Sequence, residues 1–203
     1  KLPRIRFLIA DDPGAGKTIM ARLIIKELKL RHLAKRILIV TPGHLKDQWR
    51  REMKDRFEEI FTVVDRSFLG AFYGQNVWSR EPQLITSIDF AKQYDILAGL
   101  TSVHYDLIVV DEAHKMSASI YGKKLDKTIR YRLGERLSEV CTHLLFLTAT
   151  PFQLGHAELV RVLDRFEGIS WKGTLSPQLT RPEYKAELKV LESALDDAQA
   201  AAL

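Results

Sequence analysis

The fold of this chain is decided by a ten-residue stretch near its start, Ile9-Ala10-Asp11-Asp12-Pro13-Gly14-Ala15-Gly16-Lys17-Thr18. An apolar run from Ile5 to Ile9 leads into this stretch, and apolar residues at helical spacing follow it from Ile19 to Leu28. A strand, a turn of small residues, Gly-Lys-Thr and a helix, in that order, are typical of a phosphate-binding loop. We therefore predict a strand over 5–9 and a helix from about Lys17 to about Leu30.

The residue types in this loop suit a nucleotide. Small residues allow backbone N–H groups to curl around an anion, and the helix N-terminus adds its positive dipole end. We expect Lys17 to reach the β- and γ-phosphates and the Thr18 hydroxyl to hold Mg²⁺. The general pattern G-x-x-x-x-G-K-[ST] has glycine where this chain has Asp11. The predicted nucleotide-binding set is Asp12, Pro13, Gly14, Ala15, Gly16, Lys17, Thr18 and Ile19.

A second motif, Asp111-Glu112-Ala113-His114, follows the run from Asp106 to Val110. A continuous β-branched run indicates a strand buried on both faces, as in a parallel sheet. Acidic residues at its carboxyl end lie where open α/β sheets bind ligands. We predict that Asp111 holds Mg²⁺ and that Glu112 orients or deprotonates the attacking water.

Composition limits the possible classes of protein. The chain has 203 residues, a formal net charge of +5 and a pI near 9.3, which weakly favours a polyanionic partner. Cys141 is the only cysteine, so the chain has neither an internal disulfide nor a cysteine zinc cluster, and we expect a buried structural thiol. No apolar run approaches the roughly 18 residues of a spanning helix. A cytoplasmic enzyme fits this composition best.

The first half of the chain continues the strand–helix alternation. A strand over 37–40 and a helix over about 45–57 are predicted, with Trp49, Met53 and Phe57 as the buried stripe of that helix. A short strand is expected over 61–64. The aromatic-rich segment 65–80 is expected to be irregular and to pin a loop onto the core, although stacking on bases is the alternative. A strand over 84–86 leads to Asp89, a possible N-cap of a helix to about Leu97.

The second half has a less regular pattern. Residues 115–131 form a polar, lysine-rich insert that either contacts nucleic acid or is a solvated charge run. A helix over about 133–141, a strand over 144–147 and a helix over about 158–166 follow. Residues 168–182, with their glycine and prolines, are predicted to be a linker. The tail is predicted to be a docking helix whose seam residues are Tyr184, Leu188, Leu191, Leu195, Ala198 and Ala202.

Taken together, these motifs resemble the first RecA-like lobe of a helicase superfamily two ATPase with an Asp-Glu-Ala-His box. The stretch 10–18 is especially similar to the A-D-E-x-G-x-G-K-T loop of Swi/Snf-related translocases, a subfamily that tolerates aspartate at the position of Asp11. The resemblance covers about 5–165. It continues through three further motifs, Val40-Thr41-Pro42-Gly43, Ile85-Thr86-Ser87 and Leu147-Thr148-Ala149-Thr150-Pro151.

The resemblance implies a role for each motif. Lys17, Asp111 and Glu112 would be catalytic, and Thr18 with Asp111 would hold the metal. His114 would couple the ATP site to Thr148, Ala149 and Thr150. The residues expected to contact the nucleic-acid backbone are Thr41, Pro42, Gly43, Thr86 and Ser87, and hydroxyls at a helix N-terminus suit phosphate. For Thr41 and Pro42, the alternative is a loop that only ends a strand and starts a helix.

We therefore predict an α/β fold: a RecA-like P-loop lobe with a mainly parallel sheet flanked by helices on both faces. The expected domains are an ATP-binding lobe over 1–167, a linker over 168–182 and a C-terminal docking helix over 183–203. That last helix is expected to be the start of a helical protrusion like those of Swi/Snf relatives.

The expected function is that of an ATP- and Mg²⁺-dependent DNA translocase lobe acting on duplex DNA. In the family, a second RecA-like lobe supplies the arginine finger, and an adenine-reading glutamine motif lies upstream of the phosphate loop. We expect that these 203 residues hold neither, and hence that they bind nucleotide weakly and hydrolyse it poorly. The alternatives are a strand-separating DNA or RNA helicase lobe and a non-catalytic nucleic-acid-binding module on the same fold.

Overall fold

The computed structural model describes residues 4–10, 16–72, 74–116, 119–121, 124–126, 129–149, 160, 163–164 and 181–201. In these residues, eight strands form two sheets. The strands are β1 (Arg6–Ala10), β2 (Ile37–Thr41), β3 (Thr62–Val63), β4 (Gln83–Ser87), β5 (Tyr105–Val110), β6 (Ser119–Tyr121), β7 (Lys124–Asp126) and β8 (Cys141–Thr148).

Six of these strands form one sheet, in the order β1-β8-β5-β2-β4-β3, and every pair in it is parallel. The other two, β6 and β7, form an antiparallel ribbon inside the polar insert. Because all strands of the large sheet run the same way, their carboxyl ends lie along one edge. The predicted parallel sheet is confirmed.

Helices connect the strands. They are α1 (Lys17–Leu30), α2 (Lys46–Phe57), α3 (Arg66–Ala71), α4 (Val77–Arg80), α5 (Ile88–Ala91), α6 (Tyr94–Thr101), α7 (Ile129–Glu139) and α8 (Arg181–Ala201). Two 3₁₀ turns, Gly43–Leu45 and Ala113–Met116, follow β2 and β5 after one and two residues, respectively. The bounds of α1 match the prediction, and those of α2 differ only where the 3₁₀ turn replaces its first residue.

The central strands are buried on both faces, as their apolar runs predict. Leu38 and Ile108 face the core that α4, α5, α6 and α7 cover, whereas Ile39 and Val109 face the core under α1 and α2. Trp49 and Met53 belong to the second core and Phe57 packs at its margin, so the predicted stripe on α2 is confirmed. Helices therefore flank the sheet on both faces.

Three sequence-based predictions of local structure are wrong. The segment 65–80 contains α3 and α4, because Asp65 and Asn76 accept hydrogen bonds from Phe68 and Trp78 backbone N–H groups and so start a helix each. Ser87, and not Asp89, caps α5 by accepting from the Phe90 N–H at 3.1 Å. The helix expected over 133–141 is α7, which ends at Glu139, and Cys141 instead begins β8.

The same segments contain predictions that the structure confirms. Trp78 is buried and Phe68 and Phe72 pack against the core, as expected for aromatic residues that pin the segment 65–80 to the sheet. The Cys141 thiol is buried and unpaired, and burial raises its pKa to about 11. No helix among the described residues is long and apolar enough to cross a membrane.

The C-terminal helix α8 starts two residues before its predicted position, inside the predicted linker 168–182. The Tyr184 hydroxyl donates to the Leu163 carbonyl at 2.7 Å and Leu188 is buried, whereas Leu191 is exposed. The first turns of α8 thus contact the lobe. The rest of the linker, Ala202 and most of the helix predicted over 158–166 lie outside the described residues.

Candidate nucleotide site

Helix α1 begins at Lys17 because Gly16 turns the chain into it with a φ of 90°. This left-handed conformation is strained for a residue with a side chain, so glycine is required at this position. Gly16 has no side chain to cap the helix, and the first turn carries Lys17 and Thr18 but no acidic residue. A helix N-terminus with this composition attracts anions. Asp11, Asp12, Pro13, Gly14 and Ala15 lie outside the described residues.

The Asp111 side chain lies at the carboxyl end of β5 and is fixed by three donors. Its Oδ2 accepts from the Trp49 indole Nε1 at 2.9 Å and from the Thr41 hydroxyl at 3.2 Å. Its Oδ1 accepts from the Glu112 backbone N–H at 3.0 Å. A buried carboxylate needs such partners because desolvation disfavours its charge. Asp111 is therefore held in one orientation.

Glu112 and His114 extend the site from β5 towards β8. Glu112 has a φ of 53°, an uncommon value for a residue with a side chain and one that recurs at functional sites. His114 Nδ1 lies 3.1 Å from Glu112 Oε2 and 3.2 Å from the Thr148 hydroxyl. His114 thus bridges the Asp-Glu-Ala-His box and the end of β8. Ala149 follows Thr148, and Thr150 lies outside the described residues.

These groups share one edge of the sheet. β1, which leads towards α1, pairs with β8, and β8 pairs with β5, so the carboxyl ends carrying Thr148 and Asp111 lie side by side. Open α/β sheets bind their ligands at this edge. Ile19 follows on α1, with its side chain about half exposed.

The residues present fit a nucleotide with Mg²⁺. A magnesium ion is typically held by one or two protein oxygens, substrate phosphates and water, and Thr18 and Asp111 provide oxygens of this kind. The phosphates would take the N-terminus of α1 and Lys17. When bound, Mg²⁺ neutralises charge that develops on the transferring phosphoryl group.

The predicted nucleic-acid residues lie at the ends of β2 and β4, and their hydroxyls point inward. Thr41 is fully buried on Asp111, Thr86 donates to the Val64 carbonyl at 3.1 Å, and Ser87 caps α5. Pro42 is also buried, whereas Gly43 and His44 are exposed. Contact of these residues with nucleic acid stays a prediction, and the exposed groups here are those of the turn after Pro42.

Basic groups lie on α2, on α7 and directly after α5. Asp89, on α5, accepts from Lys92 at 2.7 Å and from Arg130 at 2.8 Å. The hydrogen bond from Lys92, which has the larger effect, and the one from Arg130 lower the pKa of Asp89 to about 2. Lys46 lies 3.9 Å from Asp65. This edge of the sheet therefore carries cations that are partly neutralised by aspartates.

Sequence reasoning missed the polar connection between α1 and α2. Arg22, on α1, is buried with its guanidinium 4.8 Å from the Trp49 ring centroid and paired with Glu52. The sequence could have indicated this, because Arg22 lies between Ala21 and Ile25 on the buried face of the helix. A cation on such a face requires a buried partner. For Trp49, the signal was its indole N–H, which seeks an acceptor when buried.

Comparison with known proteins places this chain in a family. Residues 3–153 match the family described as "Type III restriction enzyme, res subunit" (ResIII). The RNA polymerase-associated proteins RapA of Serratia proteamaculans (strain 568) and Yersinia pestis (strain Pestoides F) are 38% and 39% identical to the chain over 165 residues, which is 78% of the chain. The chain spans only 17% of the length of these relatives.

Solved structures agree on the fold. The Sulfolobus solfataricus SWI2/SNF2 ATPase core in complex with dsDNA has a TM-score of 0.64 at 18% identity, over 95% of this chain and 39% of that one. The Pyrococcus furiosus Hef helicase domain has a TM-score of 0.57 at 20% identity, over 89% of this chain and 37% of that one. The chain therefore belongs to the family described as the res subunit of type III restriction enzymes, and its fold is that of a lobe of the SWI2/SNF2 ATPase core.

Proposed function

We propose that this chain is the ATP-binding lobe of a motor that couples ATP hydrolysis to movement on duplex DNA. The observation that carries the proposal is the bridge that His114 makes between Glu112 and Thr148. In a motor of this kind, the state of the nucleotide must alter contacts elsewhere in the lobe. A histidine that touches both the water-activating carboxylate and the end of a neighbouring strand is suited to that task.

The proposed chemistry needs positioning more than covalent catalysis. Lys17 would pair with the β- and γ-phosphates, and Asp111 and Thr18 would hold Mg²⁺. Glu112 would orient the attacking water and accept its proton. The contact of the Glu112 carboxylate with His114 limits the freedom of that carboxylate and keeps it beside β8.

We propose that hydrolysis by these residues alone is slow. An arginine finger contributes about 10³–10⁵ in rate, and a second RecA-like lobe, in the same or a partner chain, would supply it. The relatives are several times longer than this chain, which leaves room for such a lobe in proteins of this type.

Duplex DNA is the proposed polymer, because the structural neighbour from Sulfolobus solfataricus is described in complex with dsDNA. The turn at Gly43 and His44, together with the cations Lys46, Lys92 and Arg130, would face the phosphate backbone. Cations that replace condensed counterions make such binding steeply salt-dependent. We also propose that α8 acts as a docking helix after the lobe over 1–167 and the linker over 168–182.

The test combines binding and turnover. Duplex DNA, single-stranded DNA and RNA are titrated by fluorescence anisotropy, and ATP hydrolysis is measured with each, for the chain and for Lys17→Ala and Glu112→Gln. We expect tightest binding to duplex and slow hydrolysis that both substitutions abolish. Preference for single strands would favour a strand-separating helicase lobe. DNA binding without any nucleotide binding would indicate a non-catalytic module and overturn the proposal.

A further inference from the structure

The carboxylate of Asp111 has an uneven set of partners. A carboxylate oxygen has two acceptor sites. Oδ2 uses both, for the Trp49 indole N–H and the Thr41 hydroxyl, whereas the hydrogen bond that the structure gives Oδ1 comes from the Glu112 backbone. The described contacts therefore leave one acceptor site on Oδ1. Because two donors occupy Oδ2, Oδ1 is the oxygen available to a metal.

Trp49 is itself rigidly placed. Its side chain lies in the core under α1 and α2 and is 1% exposed. The Arg22 guanidinium lies over the Trp49 ring. Arg22 is in turn paired with Glu52, which lies about one turn after Trp49 on α2. An indole packed on one side by the core and on the other by a fixed cation has little freedom to turn its N–H away from Asp111.

The same contacts connect Trp49 to the phosphate-binding helix. Arg22 lies four residues after Thr18, so the two share one face of α1. Burial lowers the pKa of Arg22, and the charges of Glu52 and, less strongly, of Asp111 oppose that shift. One face of α1 thus carries the proposed metal-binding hydroxyl and the cation that stacks on Trp49.

We propose that Trp49 is a positioning residue for metal binding: its indole N–H orients the Asp111 carboxylate so that Oδ1 is presented to Mg²⁺. This inference rests on the proposed function, because it requires a magnesium nucleotide at this edge of the sheet. Partners that orient metal-binding carboxylates commonly change metal affinity by about 10- to 100-fold when removed. Trp49→Phe removes the donor and retains an aromatic ring in the core.

The test measures metal and nucleotide separately. A fluorescent ATP analogue is titrated into the full chain in EDTA, and Mn²⁺ binding to the nucleotide complex is then followed by electron paramagnetic resonance. We expect Trp49→Phe to weaken Mn²⁺ binding about tenfold and to leave nucleotide affinity in EDTA within about twofold. Trp78→Phe is the matched control, since Trp78 is a buried tryptophan on the opposite face of the sheet. It should leave both affinities unchanged.

A second measurement uses the unsubstituted chain and so does not depend on whether a variant folds. In the unsubstituted chain, the indole N–H resonance of Trp49 should shift when Mg²⁺ is added to the nucleotide complex, and that of Trp78 should not. Unaltered Mn²⁺ affinity in Trp49→Phe, or an unshifted Trp49 resonance while Mg²⁺ binds, would overturn the inference and leave the proposed function intact. Absence of nucleotide binding in the unsubstituted chain would overturn both.

Discussion

The buried pair of Arg22 and Glu52 gives an asymmetric prediction for stability. The Arg22 side chain is 2% exposed and that of Glu52 is 25% exposed. Glu52 also accepts from Gln48 at 2.8 Å, whereas Arg22 Nε has no hydrogen-bond partner among the described residues. Removing Glu52 therefore leaves a buried cation without its carboxylate, but removing Arg22 leaves an anion that water and Gln48 can still solvate.

The magnitude follows from the cost of an uncompensated buried charge. Breaking a buried pair by removing one partner costs about 3–5 kcal/mol, and we expect Glu52→Ala to cost about 3 kcal/mol because Asp111 still acts on Arg22. Arg22→Met should cost only about 1 kcal/mol, since the thioether can keep packing on Trp49. Alanine and methionine are good helix formers, so neither substitution weakens α1 or α2 through propensity.

The assay is urea denaturation followed by circular dichroism. With a slope of about 2 kcal/mol per M urea, Glu52→Ala should lower the midpoint by about 1.5 M and Arg22→Met by about 0.5 M. The double variant should resemble Arg22→Met, because the unpaired cation is then absent. The reasoning is refuted if Arg22→Met is as destabilising as Glu52→Ala, or if the two effects simply add.

Three further predictions concern single residues. Gly16→Ala should destabilise the chain by about 1–2 kcal/mol because of the left-handed φ, and the Tm should fall by several degrees. Gly70→Ala, at a position in open space on α3, should leave the Tm unchanged, and equal Tm values for the two variants would contradict this. Cys141 should react with a disulfide reagent at pH 8 about 100-fold more slowly in the native chain than in urea, because burial raises its pKa to about 11; equal rates would show an accessible thiolate. His143 Nδ1 accepts from the Ile5 N–H at 3.0 Å and burial lowers the His143 pKa, so its stabilising effect is full above about pH 6.5 and is lost as pH falls below that value. Melting curves at pH 7 and 5 should show a smaller loss of Tm in His143→Gln than in the unsubstituted chain.

Much of the fold follows from local patterns in the sequence. The apolar runs at 37–40 and 107–110 predict strands buried on both faces, and such strands require helices on both sides. The Gly-Lys-Thr stretch fixes the start of α1, because the left-handed turn at Gly16 and the helical pattern after it leave little choice. Signals of this kind depend only on neighbours in the sequence.

The parts that could not be predicted depend on contacts between distant segments. The sequence predicts Asp89 as the cap of the helix after β4, but the Asp89 carboxylate accepts from Lys92 and Arg130, and Ser87 caps that helix instead. Thr41 looks like a surface hydroxyl until the sheet places it beside Asp111, 70 residues away in sequence. The motif around Thr41 predicts contact with nucleic acid, whereas the position of Thr41 in the fold gives its hydroxyl Asp111 as a partner.

The most direct test of the central claim is calorimetric titration of the chain with a non-hydrolysable ATP analogue and Mg²⁺, with Lys17→Ala and Thr18→Ala alongside. Lys17→Ala should abolish binding, and Thr18→Ala should reduce the dependence on Mg²⁺ while retaining some affinity in EDTA. Weak binding with this pattern is the predicted result. Equal binding by all three proteins, or no binding by the unsubstituted chain, would contradict the claim that this lobe holds a magnesium nucleotide at the start of α1.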